Sequence, residues 1–264
     1  MEATTAGPNR TGTALAPENV KLMLEAVDEL SPPAPINTMP IDIERQTYIA
    51  EADSVGSIPP SKSTAKPTGK GKAQRTAAMA IFLDKLGERI AFERTGTRLY
   101  DALITKSLAL DNAQRAAGNG AAAARAKGAS ASMPTGEAAL GTLRKIRSEE
   151  LSHFRLLCDC VTALGGDPTA QTPSADVTAA ASMGLMQVIT DPRTTFAQCL
   201  NTILTAELTD NAGWELLSEL AVKAGHKELT EPFSAALATE AEHLTTIRSW
   251  LASLLANDAG SPAV

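Results

Sequence analysis

Aromatic residues are scarce in this 264-residue chain, where Phe, Trp and Tyr together make up 3%. A β sandwich built on aromatic and β-branched cross-strand pairs needs more of them, whereas an alanine-rich chain suits thin, closely packed helices. Cysteine is scarcer still, with Cys158, Cys160 and Cys199. Three thiols cannot all pair within one chain, and Cys158 and Cys160 stand too close for a CxxC redox or zinc pair. A disulfide scaffold is therefore excluded, and a reducing compartment is the simpler setting. Lys and Arg number 24 against 30 Asp and Glu, a net charge of -6. That balance removes the broad positive field on which sequence-independent nucleic-acid binding depends. No run reaches the roughly 18 apolar residues of a membrane span, and the opening MEATTAGPNRTGTALAPENV has neither the cationic start nor the apolar stretch of a signal peptide. The expectation is a soluble, cytoplasmic chain with no nucleic-acid or membrane partner, long enough to bury a sizeable core.

Proline is plentiful in one region only. Nine of the fifteen prolines precede residue 68, where Tyr48 is the single aromatic ring. Residues 1–72 thus read as a largely extended arm that cannot carry its own core, interrupted by two short amphipathic helices, Pro17–Leu30 and Ile41–Ala52. From residue 73 to 258 the texture changes to four long stretches free of proline or nearly so: Ala73–Ala113, Gly136–Leu164, Thr194–Ala224 and Thr230–Ala256. Each is long enough for a helix of many turns. Glycines in GGDP and GHKE, at Gly165 and Gly225, are helix stops. About thirty residues separate the second and third helices, enough to cross the length of a bundle, with a short helix expected over Ser174–Ile189. The third and fourth helices are joined by a short turn, which makes them antiparallel neighbours. The Ala/Gly tract at 112–136 reads as a flexible loop, and 259–264 as a tail.

The inward faces carry the chemistry. Steps of three and four along the second helix give Leu143, Ile146, Glu150, His153, Leu157, Cys160 and Leu164, an apolar seam broken by one Glu-x-x-His pair. The fourth helix gives Phe233, Ala236, Glu240, His243, Ile247, Trp250 and Leu254, with the same break. On the first and third helices Glu93 and Glu207 fall at the matching level, each followed seven residues later by a large aromatic, Tyr100 and Trp214. The chain reads as two related halves. With 18 glutamates in 264 residues, a given histidine has roughly a one in fourteen chance of a glutamate three before it, so two of three doing so is about a one in a hundred event on composition. Residues three apart project from one helix face, so each glutamate can reach between two metal ions while its histidine binds one of them. Four carboxylates and two imidazoles with open positions suit iron or manganese better than structural zinc, and two dications would neutralise the four glutamates.

These segments resemble the ferritin-like di-iron carboxylate proteins, a group that includes rubrerythrins, bacterioferritins and oxygen-activating di-iron oxidases. The resemblance spans about residues 75–256 and is carried by FERTGTRLY around Glu93, EELSHFRLL around Glu150 and His153, TAELTDNAGW around Glu207 and TEAEHLTTI around Glu240 and His243. It implies an all-α, ferritin-like four-helix bundle with a long crossover between its second and third helices. It implies two Fe ions, with Mn as the other candidate: Glu93 and Glu207 as terminal ligands, Glu150 and Glu240 as bridging ligands, His153 and His243 as one nitrogen ligand each. Asp210, three residues after Glu207, becomes a candidate further ligand or hydrogen-bond acceptor. Tyr100 becomes a candidate hydrogen-bonding group or radical quencher, with core packing as the plainer role for it and for Trp214. Arg89 either pairs with a ligand carboxylate or extends to solvent. Gly96 and Ala236, small residues on the inner seams, either leave room for a substrate or let helices approach. Without paired CxxC motifs there is no rubredoxin-like module, so an external electron donor is expected. The proline-rich arm and the Ala/Gly tract set the chain apart from a cage-forming ferritin subunit, and the arm is able to wrap a second subunit in a homodimer.

Three functions compete. The first is a ferroxidase or O2/peroxide-reducing oxidoreductase. The second is a di-iron oxygenase or hydroxylase acting on an organic substrate. The third is a non-enzymatic scaffold whose polar layer sets helix register and whose arm binds a partner.

Overall fold

The computed structural model describes residues 16–31, 37, 39–52, 77–117 and 137–259, without the side chains of 114–117 and 258. Among these residues the chain is all-helical. It divides into two units, Met1–Ser54 and Val55–Val264. The first unit holds α1 (Pro17–Leu30) and α2 (Met39–Glu51). Proline stands in the first turn of both, where no intrahelical N–H is needed. For that reason α2 begins two residues ahead of the expected Ile41.

The second unit holds α3 (Ala77–Ala117), α4 (Glu137–Ala163), α5 (Pro173–Thr190), α6 (Phe196–Lys223) and α7 (Thr230–Ala259), with a short 3-10 turn at Lys227–Leu229. Helix α3 continues through 112–117, residues assigned above to a flexible loop, because the first glycine of that tract is Gly118 and the alanines before it favour the helix. The rest of the tract, 118–136, lies outside the described residues, as do positions 53–76 of the arm and 260–264 of the tail. Gly165 and Gly225 adopt φ of 72° and 91°, the left-handed geometry that ends α4 and α6. Thr195 and Gln198 form a reciprocal capping box that starts α6.

Helix α3 packs along α4 and α5 and also meets α6; α6 packs along α7; α4 touches α7. The apolar interior is split into two clusters. One joins Leu99, Leu103, Leu143, Ile146, Leu200, Ile203, Ile247 and Leu254. The other joins Phe82, Leu86, Leu157, Cys160, Trp214, Leu217, Phe233 and Ala236. All four long helices contribute to both clusters. On each of them the glutamates of the seams lie between the two, so one polar layer is sealed on either side by hydrocarbon.

Helix α5 is pinned onto α3 by polar contacts. Asp84 of α3 accepts hydrogen bonds from the Ser174 backbone N–H at 2.9 Å and the Ser174 hydroxyl at 2.6 Å, and Thr172 Oγ1 donates to the Asp84 carbonyl at 2.9 Å. Asp84 thus acts as a helix cap supplied by a neighbouring helix. Asp84→Ala is expected to lower stability by about 1–2 kcal/mol and to speed amide exchange in the first turn of α5 ahead of the other helices, as read by hydrogen exchange and chemical denaturation.

Candidate metal centre

The six seam residues converge. Ligand atoms of Glu150, Glu207, Glu240 and His243 lie within 4.8 Å of one another, and so do those of Glu93, His153 and Glu240. A third grouping joins Glu93, Glu150, Asp210 and Glu240 within the same limit. Glu240 belongs to all three, and Glu93 and Glu150 to two each, so Glu240 is the most widely shared carboxylate. All seven side chains are buried.

The contacts cross between the two sequence halves. His153 Nδ1 lies 2.5 Å from Glu240 Oε1 and 3.8 Å from Glu93 Oε2. His243 Nδ1 lies 3.0 Å from Glu240 Oε2, 3.5 Å from Glu150 Oε1 and 3.9 Å from Glu207 Oε2. Both imidazoles therefore turn the same nitrogen, Nδ1, toward the carboxylates. Trp214 stands edge-on to His153, with ring centroids 5.5 Å apart, and bounds that side of the layer.

Neighbouring side chains hold the carboxylates in place. Tyr100 donates its hydroxyl proton to Glu207 Oε1, so it does more than pack. Asn211 donates its amide to two backbone carbonyls, Glu207 at 2.9 Å and Glu240 at 3.2 Å, tying α6 to α7 at the level of the site. Glu149 lies 3.1 Å from His243 Nε2 through its Oε2, and Lys145 pairs with the same carboxylate at 2.7 Å. A carboxylate on the outer nitrogen directs the Nδ1 lone pair inward whenever a metal replaces the Nδ1 proton. Glu149 and Asn211 lie off the apolar seams, and the three-and-four spacing does not mark them.

Two readings of the seam residues are corrected by the geometry. Arg89 does not extend to solvent: it is 2% exposed, its Nη2 lies 3.0 Å from Glu93 Oε1, and it pairs with Asp210. Gly96 does not leave room for a substrate, because a Cβ there would collide with the Glu150 carboxylate. Its missing side chain is the space that Glu150 occupies. Ala236 is likewise enclosed within the apolar cluster beside the layer. His226, beyond the layer, stacks on Phe82 and contacts Glu228 at 2.9 Å, the ordinary surroundings of a turn histidine.

Burial sets the protonation of the cluster. It pushes Glu93 up to about 7 despite the Arg89 guanidinium, Glu207 up to about 8 with Glu240 adding to the effect, and Glu150 well above the carboxylate range. For Glu240 burial works the same way but is outweighed by the two imidazoles, which hold it down at about 2. Burial also opposes charge on His243, yet Glu150 and Glu240 beside it raise it to about 11. Tyr100 is raised well above its usual value by burial and by Glu207, so it remains a donor. Protons thus supply part of the positive charge that the carboxylates require.

Three carboxylate oxygens of the site form no hydrogen bond, Glu93 Oε2, Glu150 Oε2 and Glu207 Oε2, whereas Glu240 Oε1 and His153 Nδ1 face each other at 2.5 Å. Buried acceptors are normally satisfied. Three that converge without donors, beside two imidazoles and the shared Glu240, are what a cation-binding shell requires, so the donor set fits metal ions. Five carboxylates with one guanidinium carry four negative charges, which two dications would match.

Comparison of the chain with protein-family models, with curated proteins and with solved structures returns no match in any of the three. The reading of this centre therefore rests on its own residues and geometry.

Two outcomes follow. In chelator-treated protein, Glu93, Glu207 and His243 bind protons more tightly folded than unfolded, so their stabilisation is complete below about pH 4.5 for the acids and 6.5 for the histidine. It is lost as pH rises through about 7, 8 and 11. The melting temperature should therefore fall steadily from pH 6 to pH 9, and added divalent metal should flatten or reverse that trend, as followed by circular dichroism. Gly96→Ala should cost about 1–3 kcal/mol by overpacking and displace Glu150, weakening metal binding measured by calorimetry, whereas the solvent-facing Gly141→Ala, where a Cβ meets nothing, should do neither.

Proposed function

We propose that the second unit is a ferritin-like four-helix bundle, with α3, α4, α6 and α7 as its helices and the segment carrying α5 as its long crossover. In this reading it holds two iron ions, or manganese, and works as a ferroxidase or an O2/peroxide-reducing oxidoreductase. The observation that carries this is the convergence of buried acids and imidazoles from four helices on one point, where three carboxylate oxygens have no hydrogen-bond partner. Oxygen donors with two imidazoles and more than one metal position favour iron or manganese over a closed structural zinc site.

A pair of iron ions held there would supply electrons to O2 or peroxide, with an external donor returning them. The chain does the rest. Glu240, common to all three groupings, would hold both ions; by the resemblance Glu150 would be the second shared acid, with Glu93 and Glu207 on one ion each and His153 and His243 donating through Nδ1. Glu93, Glu150 and Glu207 give up protons as cations arrive. Tyr100 keeps its proton on Glu207 Oε1, and Glu149 keeps the Nε2 proton of His243, so the ligands stay aimed while the charge at the centre changes. The two apolar clusters exclude bulk water from both sides of the layer, which strengthens every charge interaction within it.

A scaffold whose polar layer only sets register predicts a layer with its hydrogen bonds satisfied; the three unpartnered carboxylate oxygens count against it. The hydroxylase reading loses the space at Gly96 on which it leaned.

Anaerobic titration of the metal-free full chain with ferrous iron should saturate at two ions per chain, and exposure to O2 should then oxidise them faster than free iron in the same buffer. Glu150→Ala and Glu240→Ala should each reduce the stoichiometry to one or fewer. Saturation of the wild type at one or fewer, or unchanged binding by both variants, would sink the proposal.

A further inference from the structure

Arg89 is the one guanidinium inside the polar layer among the described residues. Its Nη2 lies 3.0 Å from Glu93 Oε1 and also pairs with Asp210, while its carbon Cζ rests 4.4 Å from the centre of the Phe92 ring. It lies across Gly213, where any Cβ would press into Cζ and Nη1. An arginine fixed in this way keeps its charge, since a guanidinium is not deprotonated in proteins. Its placement is lopsided. The donors around His243 are four, three of them carboxylates: Glu150, Glu207 and Glu240. The donors around His153 are Glu93 and Glu240, and Glu240 is already shared. One oxygen of Glu93 is taken by Arg89. Asp210, near enough to act as a further donor on that side, has its Oδ1 taken by the same guanidinium.

We propose that Arg89 makes the two metal positions unequal, so that the His243 position fills first and tightly and the His153 position second and weakly. This rests on the two-metal reading above. The arginine acts by position and charge: it withholds two carboxylate oxygens from the second ion and adds a fixed positive charge beside it. Asp210 is accordingly the counter-ion of Arg89 and not a ligand in the resting arrangement. The vacated capacity on the His153 side is then a property of one side chain, and removing the guanidinium returns both oxygens to the metal.

The test is a titration of the metal-free full chain with manganese(II), followed by calorimetry and by electron paramagnetic resonance, which separates isolated Mn(II) from exchange-coupled pairs. Wild type should bind in two steps whose dissociation constants differ by about tenfold or more, a gap of ~1.4 kcal/mol, with the isolated-ion signal dominant at one equivalent and the coupled signal appearing at two. His153→Ala should keep the tight step and lose the weak one; His243→Ala should lose the tight one. Arg89→Lys, which keeps a cation, should retain two steps. Arg89→Gln should tighten the second step about tenfold or more, so that coupled pairs form from the first equivalent. If Arg89→Gln does not fold, as judged by circular dichroism, the double variant Arg89→Gln/Asp210→Asn removes the cation without stranding Asp210 and should narrow the gap. Two ions bound in a single step by wild type, or an unchanged gap in the variant lacking the guanidinium, would overturn this inference while leaving the two-metal reading intact; no binding at all would overturn both.

Discussion

Five carboxylates held at one level in a hydrocarbon interior set the terms for the rest of this structure. Removed from water, they cannot all be charged without cations close by. The surroundings answer that demand in three ways: burial favours the protonated forms of Glu93, Glu150 and Glu207, the acids beside His243 favour its charged form, and Arg89 places a guanidinium on Glu93. The first two are exchangeable. The third is permanent.

The surrounding architecture flanks this layer with hydrocarbon on two sides. Each long helix places apolar residues from one cluster before the layer and from the other after it, so hydrocarbon bounds the polar side chains along the helix axes. Groups at the margin then restrict each carboxylate: Tyr100 on Glu207, Asn211 across the backbones of Glu207 and Glu240, Glu149 behind His243. Holding acceptors in a convergent arrangement without donors is costly on its own, and the packing of both clusters offsets that cost. Such a pre-arranged shell loses little further entropy on binding a cation, as for any preorganised site.

Much of this could be read in the chain before any coordinates. The positions of the helices follow from proline-free stretches and from Gly165 and Gly225, and the level of the polar layer follows from two Glu-x-x-His breaks in otherwise apolar seams. Other features were out of reach for definite reasons. Which glutamate faces which imidazole depends on how helices from the two halves cross, and His153 proves to lie nearer Glu240 than its own-half partner Glu93. Glu149 and Asn211 act from the flanks of their helices, where the seam periodicity is silent. Arg89 is compatible with either solvent or core by its position, because a long side chain can bend both ways.

Sequence by itself determined the residue types, their spacing along each helix and hence the depth at which acids and imidazoles must lie, because a 3.6-residue period assigns every side chain to a face regardless of its neighbours. Tertiary structure alone decided how those faces meet: that Glu240 is common to all the donor groupings, that Gly96 yields its volume to Glu150, and that Arg89 turns inward onto Glu93 and Asp210. Those outcomes are distances between atoms on different helices, and no local pattern encodes a distance across a packed interface.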